Sequence, residues 1–114
     1  MKTLADNVLK DELEKELENI LMQLIDSYHP QKVILFGSMI EGQIDENSDI
    51  DLFIVKDDVP RRRHDRTYEL DCMIRRTKAT DFLVYKPEEI KQRLEIGDPF
   101  VKDIIENGRI LYES

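Results

Sequence analysis

The stretch FGSMIEGQIDENSDIDLFIV, residues 36–55, is where the fold is decided. One apolar run, Lys32 to Phe36, stops at Gly37-Ser38, and a second, Ile50 to Val55, opens beside Asp49 and Asp51. Both runs are rich in β-branched and aromatic residues and bounded by turn formers, so both read as strands. The connection from Phe36 to Asp49 is shorter than the dozen or more residues that a parallel crossover with its helix needs. The two strands are therefore expected to be antiparallel neighbours. A buried core gives no reason to place two aspartates at the head of the second strand.

Side chains alternate faces along a strand, so Asp49 and Asp51 are expected to project the same way. Two bare carboxylates that close repel, and near neutral pH they coexist only with a shared proton or a cation. Oxygen donors of this kind suit Mg²⁺ or Mn²⁺, with waters and substrate phosphates filling the remaining positions. At the end of the preceding strand, Gly37 lets the backbone turn and approach a ligand. The Ser38 hydroxyl and the N–H groups after it can donate to phosphate oxygens.

Working outward, apolar residues from Leu4 to Tyr28 recur at gaps of three, four and five among glutamates, the pattern of an amphipathic helix. His29-Pro30 ends it, because the residue before a proline is pushed out of helical geometry. A third strand is expected over Asp81 to Tyr85. Residues 60–76 between the second and third strands read as a helix, with Pro60 in its first turn and Tyr68, Leu70, Cys72 and Met73 inward. Pro87-Glu88-Glu89 opens a further helix to about residue 96, and Asp98-Pro99 starts a last one that Asn107-Gly108 stops. Arg109 to Tyr112 reads as a short strand or an extended tail. The sum is a single α+β domain over residues 1–114, a small mixed and largely antiparallel sheet flanked by helices, with an N-terminal helical segment over 1–29. If the third strand lies beside the second, Asp81 joins the pocket and can accept a proton from an attacking hydroxyl. These parts together suit metal-assisted nucleotidyl or phosphoryl transfer.

Composition narrows the partners. The chain has 114 residues, is 37% charged and carries a formal net charge of -8. Such a balance argues against a protein that coats nucleic acid, which normally shows a basic face. The basic residues that do cluster, Arg61, Arg62, Arg63, Arg66, Arg75 and Arg76, could meet a local phosphate or an acidic partner. A solvated helix start explains the first three more simply. No apolar run approaches the roughly 20 residues of a membrane span, and the N-terminus lacks the apolar core of a signal peptide. One cysteine, Cys72, allows no internal disulfide, and a reducing cytoplasmic setting is expected. Its place beside Tyr68 on the inward side suggests packing. His29 and His64 have no partner at ligand spacing. The run from Asp45 fails as a calcium loop, with Ile50 where a glycine and Lys56 where a glutamate are required. No Walker A loop is present.

The pattern Gly37-Ser38, ten residues, then Asp49-Ile50-Asp51 resembles the signature of the DNA polymerase β nucleotidyltransferase superfamily. Asp81 to Tyr85 followed by Pro87-Glu88-Glu89 looks like its third-aspartate strand and next helix. FVKDIIENGRILYE, residues 100–113, is similar to the C-terminal helix and tail of the minimal nucleotidyltransferases. The resemblance implies that Asp49 and Asp51 coordinate two Mg²⁺ ions, that Asp81 completes the triad, and that Gly37 and Ser38 hold the triphosphate of ATP or another NTP. It implies transfer of AMP to an acceptor hydroxyl with release of pyrophosphate. It also implies a HEPN-domain protein as partner, with this chain as its antitoxin of the type VII kind, adenylylating a tyrosine on it. Many members carry arginines after Gly-Ser. Here Met39 and Glu41 stand in that segment, so either triphosphate binding is weaker or a cation from Lys56 or Arg61 to Arg63 substitutes. Alternatively the chain is a module of weak or no activity that neutralises its partner by binding.

Overall fold

In the computed structural model, which describes residues 4–42 and 44–114, the predicted strands pair into one four-stranded sheet of order β3-β2-β1-β4. The strands are β1 (Lys32–Phe36), β2 (Ile50–Val55), β3 (Thr80–Tyr85) and β4 (Arg109–Glu113). β1 pairs antiparallel with β2 and with β4, whereas β2 and β3 are parallel. The expected mixed, largely antiparallel sheet is thus what forms, and the C-terminal run is a strand. Among the described residues no helix is long and apolar enough to cross a membrane.

The period of two along each strand sorts residues between two cores. Val33, Leu35, Leu52, Ile54, Phe82 and Val84 pack on one face under the N-terminal helix. That helix is α1 (Leu4–Gln23), continued by a π-helical turn, Leu24–Tyr28, which delivers Leu24 and Tyr28 to the same core. It ends at His29, whose left-handed backbone (φ 57°) closes the turn through its N–H to Leu24 O, just ahead of Pro30. Residues 1–3 of the predicted N-terminal segment lie outside the described residues. The other sheet face, with Ile34, Phe53, Val55 and Tyr85, is covered by Val101 and Ile104. Those two belong to α5 (Pro99–Asn107), whose start is capped as predicted: Asp98 accepts from the N–H groups of Phe100 and Val101. α4 (Pro87–Glu95) precedes it.

The helix between β2 and β3 departs from expectation. α3 spans Arg63–Met73, so Pro60 lies in the loop before it and residues 74–76 lie beyond it. Leu70 is buried, but Tyr68 and Cys72 face solvent and Met73 is 38% exposed. The inward face belongs to Arg66, 1% exposed, and Leu70, one turn apart, which turns Tyr68 and Cys72 outward. Sequence reasoning puts apolar residues inward; here an arginine is buried because every donor it offers is used. Arg66 donates to the carbonyls of Pro60, Arg61 and Val84, and its fork grips Glu89 of α4 at 2.6 and 3.2 Å. That guanidinium holds the Glu89 carboxyl below its usual range.

These bonds also close a sheet edge. β3 has a strand neighbour on one side only, and its outward carbonyls at Phe82 and Val84 accept from Thr67 Oγ1 (2.9 Å) and Arg66 Nη1 (3.0 Å). An edge covered in this way offers no template for another strand. Replacing Arg66 with Ala strands three carbonyls and the half-buried Glu89. Stability is expected to fall by about 3 kcal/mol, read as a lower urea midpoint at unchanged slope.

Candidate active site

Strand register assembles the site. Phe36 of β1 lies opposite Asp51 of β2, and Asp51 lies opposite Asp81 of β3. Residues directly opposite one another in a ladder share a face, so Phe36, Asp51 and Asp81 form one row across the sheet. The row sits on the face covered by α5, at the end of the sheet where β1 finishes and β2 and β3 begin.

Asp51 is half-buried there, with the Asp81 carboxyl in hydrogen-bonding contact. Burial, and after it the charge and hydrogen bond of Asp81 and the charges of Asp49 and Glu41, push the Asp51 carboxyl up to about 6. Above about pH 6 Asp51 is therefore ionised beside Asp81, a crowding that a bound cation would relieve. Asp49 is exposed, in the turn before β2. That turn is closed by Asp45, which accepts from the N–H groups of Asn47 and Ser48, while Ser48 Oγ accepts from Asp45 N–H. The structure thus brings Asp51 and Asp81 together and leaves Asp49 within charge range. Among the described residues no three acidic, histidine or cysteine side chains close on a common point. Donor chemistry and crowding nonetheless fit a divalent cation: all three candidates are oxygen donors, and a cation would offset the repulsion among them.

Gly37 joins β1 to α2 (Ser38–Glu41), and its backbone (φ 82°, ψ -149°) is one that only glycine adopts readily. A Cβ there would run into the Asp51 carboxyl. The glycine is required twice, by the turn and by the aspartate beside it. Its carbonyl accepts from the N–H groups of Ile40 and Glu41, and Ser38 opens the short helix half-exposed. Gly37→Ala is expected to lower stability by about 1–3 kcal/mol and to displace the Asp51 side chain. Chemical denaturation, together with loss of the Asp51–Asp81 contact in a crystal structure of the variant, checks both.

Two recesses flank the row, with Phe36 common to both. One, about 280 Å³, is lined by Asp51, Asp81, Thr67, Leu83 and Phe100; the other, about 190 Å³, by Gly37, Ile40, Glu41, Asp103 and Asn107. Phe100 meets Phe36 edge-on at 5.8 Å. Sequence reading missed Phe36, Phe100, Thr67 and Leu83 here, since only register and the docking of α5 and α3 bring them to the aspartates. Among the described residues no lysine or arginine lines either recess. The cations expected to replace the missing arginines are elsewhere: Lys56 bonds Tyr28 O and lies 4.4 Å from the Tyr28 ring centre, and Arg63 lies 4.9 Å from that of Tyr85. Position 56 lies five residues along the chain from Asp51, roughly 17 Å at about 3.3 Å per residue, and Tyr85, which Arg63 covers, ends β3 on that same side.

A parallel β2–β3 pair, a glycine turn packed against a carboxyl, and aspartates on adjacent strand heads define a nucleotidyltransferase fold. Residues 15–114 match the family described as Polymerase beta, Nucleotidyltransferase, and the chain belongs to it. A provisionally assigned protein adenylyltransferase of Methanocaldococcus jannaschii is 30% identical over 104 residues, which cover 87% of this chain and 97% of that one. In fold the chain is similar to a provisionally assigned nucleotidyltransferase of Sulfolobus solfataricus, solved at 1.40 Å, with TM-score 0.70 and 21% identity. That match covers 98% of this chain and 90% of the solved one.

Because the folded Asp51 carboxyl titrates above its ordinary value of 3.8, it favours the folded state fully only below that value, and the benefit is lost as pH rises through about 6. In metal-free buffer Asp51→Asn should therefore stabilise the protein at pH 7.5 and do much less at pH 4. Two pKa units correspond to about 3 kcal/mol, reduced by solvent screening at this half-open site to about 1 kcal/mol. Thermal melts in EDTA at the two pH values measure it.

Proposed function

We propose that this chain is a metal-dependent nucleotidyltransferase that moves AMP from ATP to an acceptor hydroxyl on a protein. The observation that carries the reading is the Asp51–Asp81 contact beside the side-chain-free Gly37. Asp49, Asp51 and Asp81 would hold two Mg²⁺ ions, which when bound supply charge neutralisation for the triphosphate and the transferring phosphoryl group. Gly37 and Ser38 orient the phosphates through the turn into α2. Asp81, bordering the apolar recess, takes the proton of the acceptor hydroxyl. The acceptor oxygen bonds to the α-phosphorus as the bond from that phosphorus to its bridging oxygen breaks, and pyrophosphate leaves.

The named activity of the M. jannaschii relative supports a protein acceptor. The net charge of -8 disfavours a nucleic-acid one. With the family resemblance, the reading extends to a HEPN-domain partner, a tyrosine on it as acceptor, an antitoxin role and a cytoplasmic setting. A cleft of about 730 Å³, where Leu4 and Val8 of α1 face Ile44 beside Glu12, Asp45, Glu46 and Lys78, would offer such a partner a surface. A second reading draws on the recesses: with Glu41 in the helix that Gly37 opens and, among the described residues, no lysine or arginine lining either recess, the chain acts chiefly by binding its partner and transfers little.

Incubation with α-labelled ATP, Mg²⁺ and the protein encoded by the neighbouring gene separates these. Transfer of label, lowered at least about 100-fold by Asp49→Asn, Asp51→Asn or Asp81→Asn in folded protein, is the expected result. A tight complex without label transfer supports the binding module instead.

A further inference from the structure

We propose that Glu16, on α1, is a positioning residue for this site: it holds the chain entering β3 so that Asp81 arrives opposite Asp51. The kinetic consequence rests on the transfer reading above; the structural one does not.

β3 is an edge strand, and its pairing with β2 decides which face Asp81 occupies. A slip of one residue would send Asp81 into the core beneath α1 and bring Thr80 or Phe82 to the site. At the site end the ladder begins with Ile50 N–H bonded to Ala79 O at 3.0 Å. The residues just before that bond are held by α1. Glu16, 7% exposed in the middle of the helix, accepts from the N–H and the hydroxyl of Thr77 and from Lys78 N–H at 3.1 Å. Its other oxygen accepts from Asn19 Nδ2 at 2.7 Å.

Asn19 and Gln23 continue the stripe along the same face of α1. Asn19 Nδ2 donates to Arg75 O at 3.1 Å. Gln23 pairs with the Arg75 peptide in both senses, its Nε2 donating to the carbonyl (2.6 Å) and its Oε1 accepting from the N–H (2.8 Å). Side chains three and four apart on one helix face thus replace a neighbouring strand for residues 75–78. Burial raises the Glu16 carboxyl, but hydrogen bonds from Thr77, Asn19 and the backbone outweigh it and hold the group below its usual range. A buried charge is a poor device for stability alone, and fixing register is its best-attested use.

Amide hydrogen exchange on Glu16→Ala tests the proposal. The Ile50 amide reports the site end of the β2–β3 pair, and the Lys56 amide, 3.1 Å from Tyr85 O, reports the far end. Protection at Ile50 is expected to fall about 10–100-fold while Lys56 keeps its own. In the AMP-transfer assay kcat should fall by a similar factor, about 10–100-fold, with the KM for ATP within about twofold. Glu16→Gln keeps an oxygen for the Thr77 N–H and should recover both readouts to within about fivefold. Equal loss of protection at both amides marks a general brace and overturns the proposal. So does an undisturbed Ile50 amide in folded Glu16→Ala. If Ile50 alone loses protection but the wild-type protein transfers no nucleotide, the hold on β3 is supported and the transfer reading is the part that fails.

Discussion

Two carboxyl groups that repel are held in contact at the head of a parallel strand pair, and much of the fold can be understood as what makes that contact tolerable. Asp51 is pushed up to about 6 by burial and by Asp81, so below that pH a proton on Asp51 relieves the pair and above it a cation would have to. Gly37 leaves the space that the Asp51 carboxyl fills. Phe36, one step along the row, stands opposite Asp51 and lines the recesses on both sides. A protein selected only for stability would put an apolar residue at position 51, as it does at 53 and 55 on the same face.

The contact needs β3 in one register, and β3 has only β2 as a strand neighbour. The rest of its support comes from helices. Thr67 and Arg66 of α3 bond its outward carbonyls, and Glu16 of α1 holds the residues that lead into it. Each is a polar side chain satisfying a backbone group that a further strand would otherwise engage. Arg66 is buried for that reason, and so is Glu16.

Asp49, Asp51, Asp81 and Glu41 gather around the site, while Lys56 and Arg63 lie over aromatic rings elsewhere. Family membership sets the class of chemistry, but the segment after Gly37-Ser38 carries Met39 and Glu41, and among the described residues no lysine or arginine lines the adjoining recesses. On the proposed reading, neutralising a triphosphate there would fall to cations brought with it or to a bound partner.

Local chemistry was enough to mark much of this molecule. Alternation and turn formers bounded β1 and β2, the short link between them required an antiparallel pair, His29-Pro30 ended the first helix, and Asp98-Pro99 with Asn107-Gly108 bracketed α5. Each signal acts over a few residues, through backbone dihedrals and caps, and so is written in consecutive letters. Tertiary structure decided the rest: β4 on the far side of β1, β3 parallel to β2, Arg66 inside with Tyr68 and Cys72 outside, and Asp49 in the turn rather than against its two companions. Those outcomes depend on which distant groups satisfy a buried donor or cover a face, and no local spacing carries that information.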